Sequence, residues 1–101
     1  MSLVAAMDRV PCVYILAKAS HSTLYTGVTS ELTKRIWEHR NGYGSKFVTQ
    51  YNVTRLVWVE EHPLYADAIQ RETSIKRWNR AWKLTLIEKM NPNWDDLPPP
   101  E

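Results

Sequence analysis

The sequence predicts an α+β domain in which a small antiparallel sheet is covered by helices. Three features carry this reading. Two runs of strand-forming residues, 11–17 and 23–28, flank the polar stretch Lys18-Ala19-Ser20-His21-Ser22 as a hairpin would. A third run, Thr54-Arg55-Leu56-Val57-Trp58-Val59-Glu60, is the clearest strand of the chain, and helical spacing follows the second and third runs. The resulting order of strand, strand, helix, strand, helix, helix does not suit a dinucleotide fold. Neither a G-x-G-x-x-G nor a G-K-[ST] phosphate loop is present.

Each element has its own local cause. Ser30 is placed to cap the first helix with Glu31 in its first turn, and Leu32, Ile36 and Trp37 give helical spacing up to Asn41, where Gly42 and Gly44 end it. Lys46 to Tyr51 forms a short helical turn, and Pro63 closes the third strand. From Tyr65 to about Trp82 the pattern is helical, and Ala81 to Met90 is either a second helix or a kinked continuation, stopped by Asn91-Pro92. Residues 1–10 read as a leader, with a cloning remnant one origin for part of it. Residues 11–91 form one domain and 92–101 a Pro-rich acidic tail, with Asp95 and Asp96 solvated.

A chain of 101 residues holds a single core, and five tryptophans and five tyrosines supply large buried area. Trp58, Trp78 and Trp82 are the tryptophans expected in that core. The lone Cys12 cannot form an internal bridge, and no apolar run approaches the ~18 residues of a membrane span. A cytoplasmic setting is the expectation. The formal charge of +2 is mild, but Arg71, Lys76, Arg77, Arg80 and Lys83 crowd one helical stretch, so the folded body is more basic than the whole.

Period-two alternation groups Tyr14 with Cys12 and Leu16 on one strand face and Tyr25 with Gly27 on another, so Gly27 removes bulk beside a tyrosine. Both tyrosines also suit a core with wet hydroxyls. Arg35 and His39, four apart, emerge together from one helix face, a charged fork beside an imidazole that suits a phosphate under attack. The competing reading pairs Arg35 with Glu31 and leaves His39 exposed. At about 100° per residue, Ala68, Glu72, Ile75, Asn79 and Trp82 share one arc of roughly 80°, which turns a carboxylate along the buried stripe. Such a group needs a partner or a metal. Arg71 is one available partner, and Mg²⁺ typically takes only one or two protein carboxylates. Lys46 is a plausible phosphate contact. His21 and His62 lack the neighbours that zinc requires.

Taken in order, Val13-Tyr14-Ile15, Tyr25-Thr26-Gly27, the helix bearing Arg35 and His39, and the later helix bearing Glu72 resemble the GIY-YIG nuclease domain in its small stand-alone bacterial form, UPF0213-like, from about Val13 to Ile87. Gly44-Ser45-Lys46-Phe47, the strand Leu56 to Glu60 and Ile75-Lys76-Arg77-Trp78 extend the likeness. Val13 replaces the glycine of the first motif and Thr26 the isoleucine of the second. Asn79 and Asn91 are the candidates for the distal asparagine of the family. The resemblance implies a central three-stranded antiparallel sheet and a DNA endonuclease assisted by one divalent cation, Mg²⁺ or Mn²⁺, with DNA repair or recombination as its setting. It further implies that Tyr25 helps activate water and Tyr14 orients water or phosphate. Arg35 would stabilise the transition state, with His39 beside it, and Glu72 would hold the metal, with Lys46 and Asn79 toward substrate. Binding would run along the phosphate backbone with low sequence specificity. The rival is a catalytically inactive nucleic-acid-binding module of the same fold.

Overall fold

The computed structural model describes residues 10–43 and 46–98. Most of the leader, Gly44 and Ser45, and the last three residues of the tail lie outside the described residues. Strands β1 (Cys12–Ala17), β2 (Leu24–Thr29) and β3 (Arg55–Glu61) form one antiparallel sheet in the order β2-β1-β3. Helices α1 (Leu32–Arg40) and α2 (Lys46–Tyr51) precede β3, and α3 (Tyr65–Arg77) and α4 (Arg80–Met90) follow it. This is the expected α+β arrangement.

Because β1 is central and helices cover both faces, all six of its residues are buried. Alternation then divides the core. Cys12, Tyr14 and Leu16 pack with Leu32, Ile36, Val48, Val53 and Leu56 on the α1–α2 side. Val13, Ile15 and Ala17 pack with Ala68, Ile75, Ile87 and Trp94 on the other. Leu16 pairs with Leu56 but Ile15 with Trp58, so Val57 is an extra residue in β3. This bulge breaks the period-two pattern and turns Val57 and Trp58 into the same core.

The structure corrects several local expectations. Ser30 does not cap α1: the cap position is Glu31, and its N–H is satisfied by the Thr29 hydroxyl at 3.0 Å. The C-terminus of α1 follows the expected glycine rule, since Gly42 takes φ 81° and the Tyr43 N–H reaches the Glu38 carbonyl at 2.8 Å, closing a Schellman turn. The helical pattern running to Trp82 is two helices. The chain is extended at Trp78 and Asn79, and the Asn79 side chain accepts the Trp82 N–H at 2.9 Å as the N-cap of α4. That break turns Trp82 out of the core to 60% exposure, whereas Trp94 takes its place at 1%.

Asp96 is exposed, as expected, but it is also tied to the sheet. It accepts the Leu56 N–H at 2.9 Å, its two oxygens share the Arg40 Nη2 at 2.9 and 3.0 Å, and Leu97 N–H bonds the Leu56 carbonyl. Buried Asn91 completes the attachment by donating to the Val57 carbonyl, at the bulge, and to the Asp95 carbonyl. Residues 91–97 therefore cover the outer edge of β3. Asp96→Ala strands a part-buried N–H and an arginine, and should lower unfolding free energy by about 1–3 kcal/mol in urea titrations.

Candidate active site

The hairpin of β1 and β2 sets Gly27 directly opposite Tyr14. A Cβ on Gly27 would lie 2.5 Å from both Cζ and Oη of Tyr14, so the absence of a side chain there is what lets the ring lie across β2. Tyr25, two residues earlier on the same face, is half-buried with its ring centroid 6.4 Å from that of Tyr14.

Helix α1 follows β2 after two residues and carries Arg35 and His39 one turn apart. His39 is not exposed: it is 3% accessible, its Nε2 lies 2.9 Å from the Tyr14 hydroxyl, and its ring meets the Tyr25 ring edge-on at 5.4 Å. Its Nδ1 is buried with no hydrogen-bond partner among the described residues. Arg35 is half-exposed and does not pair with Glu31; its Nε sits 3.7 Å from Glu38, a loose contact that leaves its fork available.

Glu72 arrives from α3, which packs against β1 and β2. Its side chain is only 14% accessible, with Oε2 3.1 Å from Lys76 Nζ and no donor to Oε1 among the described residues. The anticipated alternative partner, Arg71, is engaged elsewhere: it binds Glu60 at 3.0 Å and lies over the Trp78 ring. Glu72 is thus mostly buried with one oxygen uncommitted, as a single-carboxylate Mg²⁺ or Mn²⁺ site requires. The described residues hold no group of three or more His, Cys, Asp or Glu that could bind a metal by themselves. That disfavours a zinc-type site and is compatible with a cation completed by water and phosphate.

The electrostatics converge on the Tyr14 hydroxyl. Burial above all, then the Tyr25 phenol, push its pKa far above the ordinary tyrosine range, with Glu72 and Tyr65 adding to the rise and the Arg35 charge opposing it. The same environment lowers the His39 pKa, chiefly through burial and then through the Arg35 charge, against an opposing pull from Glu38. His39 is therefore neutral at neutral pH.

Tyr25 and His39 contact Tyr14, while Arg35 and Glu72 act on it electrostatically; the five residues come from four elements, and Gly27 makes the room. Lys46 opens α2 on the exposed surface and is not among the groups that act on Tyr14. Asn79 is occupied as a helix cap and Asn91 as the clamp of residues 91–97. Tyr65, which the sequence did not single out, joins the group of charges and phenols around Tyr14. The available signal was its spacing of seven from Glu72, two turns along the same helix face.

A model of the GIY-YIG catalytic domain matches residues 10–85. The chain belongs to the GIY-YIG family. Its GIY-YIG domain is 43% identical over 81 residues to a UPF0213 protein of Syntrophus aciditrophicus, a match covering 79% of this chain and 91% of that one. It is 36% identical over 77 residues to a UPF0213 protein of Staphylococcus saprophyticus, covering 76% and 93%. The solution NMR structure of a UPF0213 protein from Bacillus halodurans superposes with a TM-score of 0.54 at 28% identity, covering 85% of this chain and 90% of that one. Membership places the GIY-YIG domain in a nuclease family. No helix among its described residues is long and apolar enough to cross a membrane.

The slot over Gly27 makes a direct prediction. Gly27→Ala forces a methyl into the Tyr14 ring and should cost about 1–3 kcal/mol in chemical denaturation. In a Tyr14→Ala background the same substitution should cost much less, because the atoms it meets are gone.

Proposed function

We propose that this GIY-YIG domain is a DNA endonuclease that hydrolyses phosphodiesters with the help of one divalent cation. The observation that carries the proposal is the convergence of two phenols, a guanidinium and a nearly buried carboxylate around the Tyr14–His39 pair. A phosphodiester needs those chemical types and little else: a proton acceptor for water, a fixed positive charge for the phosphorane-like transition state, and an anionic oxygen for a metal.

The proton states divide the tyrosines. Tyr14 is held protonated by burial, so it is a poor base and serves as a hydrogen-bonding group. In a neutral His39 one ring nitrogen carries a proton, and a buried orphan acceptor is tolerated better than a buried orphan N–H. That places the proton on Nε2, donating to the Tyr14 oxygen and leaving the Tyr14 O–H to point at water or phosphate. Tyr25, half-buried beside the Tyr14 and His39 rings, takes the proton of the attacking water.

Arg35 stabilises negative charge on the phosphoryl oxygens as water attacks phosphorus and the bond to the leaving 3′ oxygen breaks. Glu72 would hold the cation through its uncommitted oxygen, and the cation, when bound, supplies Lewis-acid stabilisation of the phosphate and leaving oxygen. Lys76 offsets the Glu72 charge when no cation is present. With seven basic residues against eight acidic outside α3 and α4, contacts to the DNA backbone are few and sequence readout is weak. Repair or recombination is the class of pathway in which such cleavage is useful, and bacterial cytoplasm its setting.

Purified protein with end-labelled DNA and Mg²⁺ or Mn²⁺ tests the reading. Cleavage should vanish with a chelator and fall on the order of 10²-fold or more in Tyr25→Phe, Arg35→Ala and Glu72→Ala. Wild-type cleavage matched by all three variants would remove the site from these residues.

A further inference from the structure

The break between α3 and α4 leaves an aromatic groove that the active site does not use. Trp78, extended between the helices, and Trp82, in the first turn of α4, meet edge-to-face at 6.0 Å. With Thr85, Leu86 and Lys89 they line an open cavity of about 230 Å³. Trp82, Thr85, Leu86 and Lys89 follow the i, i+3, i+4, i+7 spacing of one helix face, so the groove is a built feature of α4. The inner wall is fixed. Trp78 is half-buried against the core under the Arg71 guanidinium at 5.2 Å, and Arg71 is itself anchored to Glu60. The outer wall, Trp82, is 60% exposed.

Charge identifies the occupant. Residues 71–90 contain six basic and two acidic residues, whereas the rest of the chain is net acidic. Both acids are engaged, Glu72 with Lys76 and Glu88 with His21 and Trp94. Arg77, Lys83 and Lys89 have no acidic partner among the described residues. An exposed tryptophan ring with the unpaired Lys89 in the same groove, and Arg77 and Lys83 next in sequence to its tryptophans, fits a planar ring attached to an anion, which is a nucleotide whose base is unstacked. A base paired within a duplex has no free face to offer it.

We infer that the Trp78–Trp82 groove is a second nucleic-acid site that stacks an unpaired base of single-stranded DNA, with Lys89 and its neighbouring cations on the phosphates. The inference rests on the endonuclease reading for the identity of the polymer, and it narrows the substrate to DNA carrying a single-stranded segment.

Binding is measured with the full chain and fluorescein-labelled oligothymidylate in EDTA, so that cleavage plays no part, alongside a duplex of equal length. The expected result is tighter binding of the single strand. Trp82→Ala should weaken it about tenfold, with recovery in Trp82→Phe, while duplex binding stays within about twofold. Lys89→Ala should reduce the salt slope by roughly 0.7. Equal single-strand affinity in wild type and Trp82→Ala overturns the inference, as does a Trp82-dependent dimer in sedimentation, which would assign the groove to a second copy. Trp82-dependent single-strand binding by a wild type that never cleaves with Mg²⁺ or Mn²⁺ leaves the groove standing and sinks the nuclease reading instead.

Discussion

The 2.9 Å hydrogen bond between the Tyr14 hydroxyl and His39 Nε2 ties the central strand to the helix that follows the hairpin, and the site is arranged around it. It exists because Gly27 has no side chain. Any Cβ there would occupy the space of the Tyr14 ring, the hydroxyl would lose its reach to α1, and His39 would be buried with neither nitrogen satisfied. A backbone requirement on an outer strand thus sets the position of a phenol on the central one. That phenol in turn fixes an imidazole on a helix.

Burying this pair also separates the roles of chemically similar groups. Tyr14 and Tyr25 are the same residue type within one wall, yet Tyr14 is sealed and pinned while Tyr25 stays half-buried and meets His39 only by its ring edge. His39 is kept neutral by the same burial. Folding therefore favours the unprotonated imidazole, and the associated stabilisation is full above the ordinary histidine value near 6.5 and is lost as pH falls toward the lowered folded one. Arg35 and Glu72, reaching in from opposite elements, remain the charged groups of the site.

Much of this was legible in the chain. Local strand propensity located the three strands, and the strand face of Tyr14, the shared face of Tyr25 and Gly27 and the inward turn of Glu72 follow from periods of 2 and 3.6. What escaped depended on contacts distant in sequence. The bulge at Val57 placed two consecutive residues of β3 in one core, against simple alternation. The attachment of the exposed Asp96 was hidden because its partners, Arg40 and Leu56, are 56 and 40 residues away. Trp82 looked buried because its position was counted along an unbroken helix, and the Asn79 cap resets the phase by starting a new one. Burial of His39 was hidden for a related reason: a single polar residue on a helix face is shielded only by rings supplied from the sheet.

The state of the His39 ring is the quantity on which the account turns, and ¹⁵N-edited NMR of the imidazole across a pH titration reads it directly. The expected result is a midpoint below the free value of about 6.5 and a neutral ring carrying its proton on Nε2, with the tautomer preference weakened in Tyr14→Phe. A midpoint at or above that value, or a ring whose shifts ignore the loss of the Tyr14 hydroxyl, would contradict it.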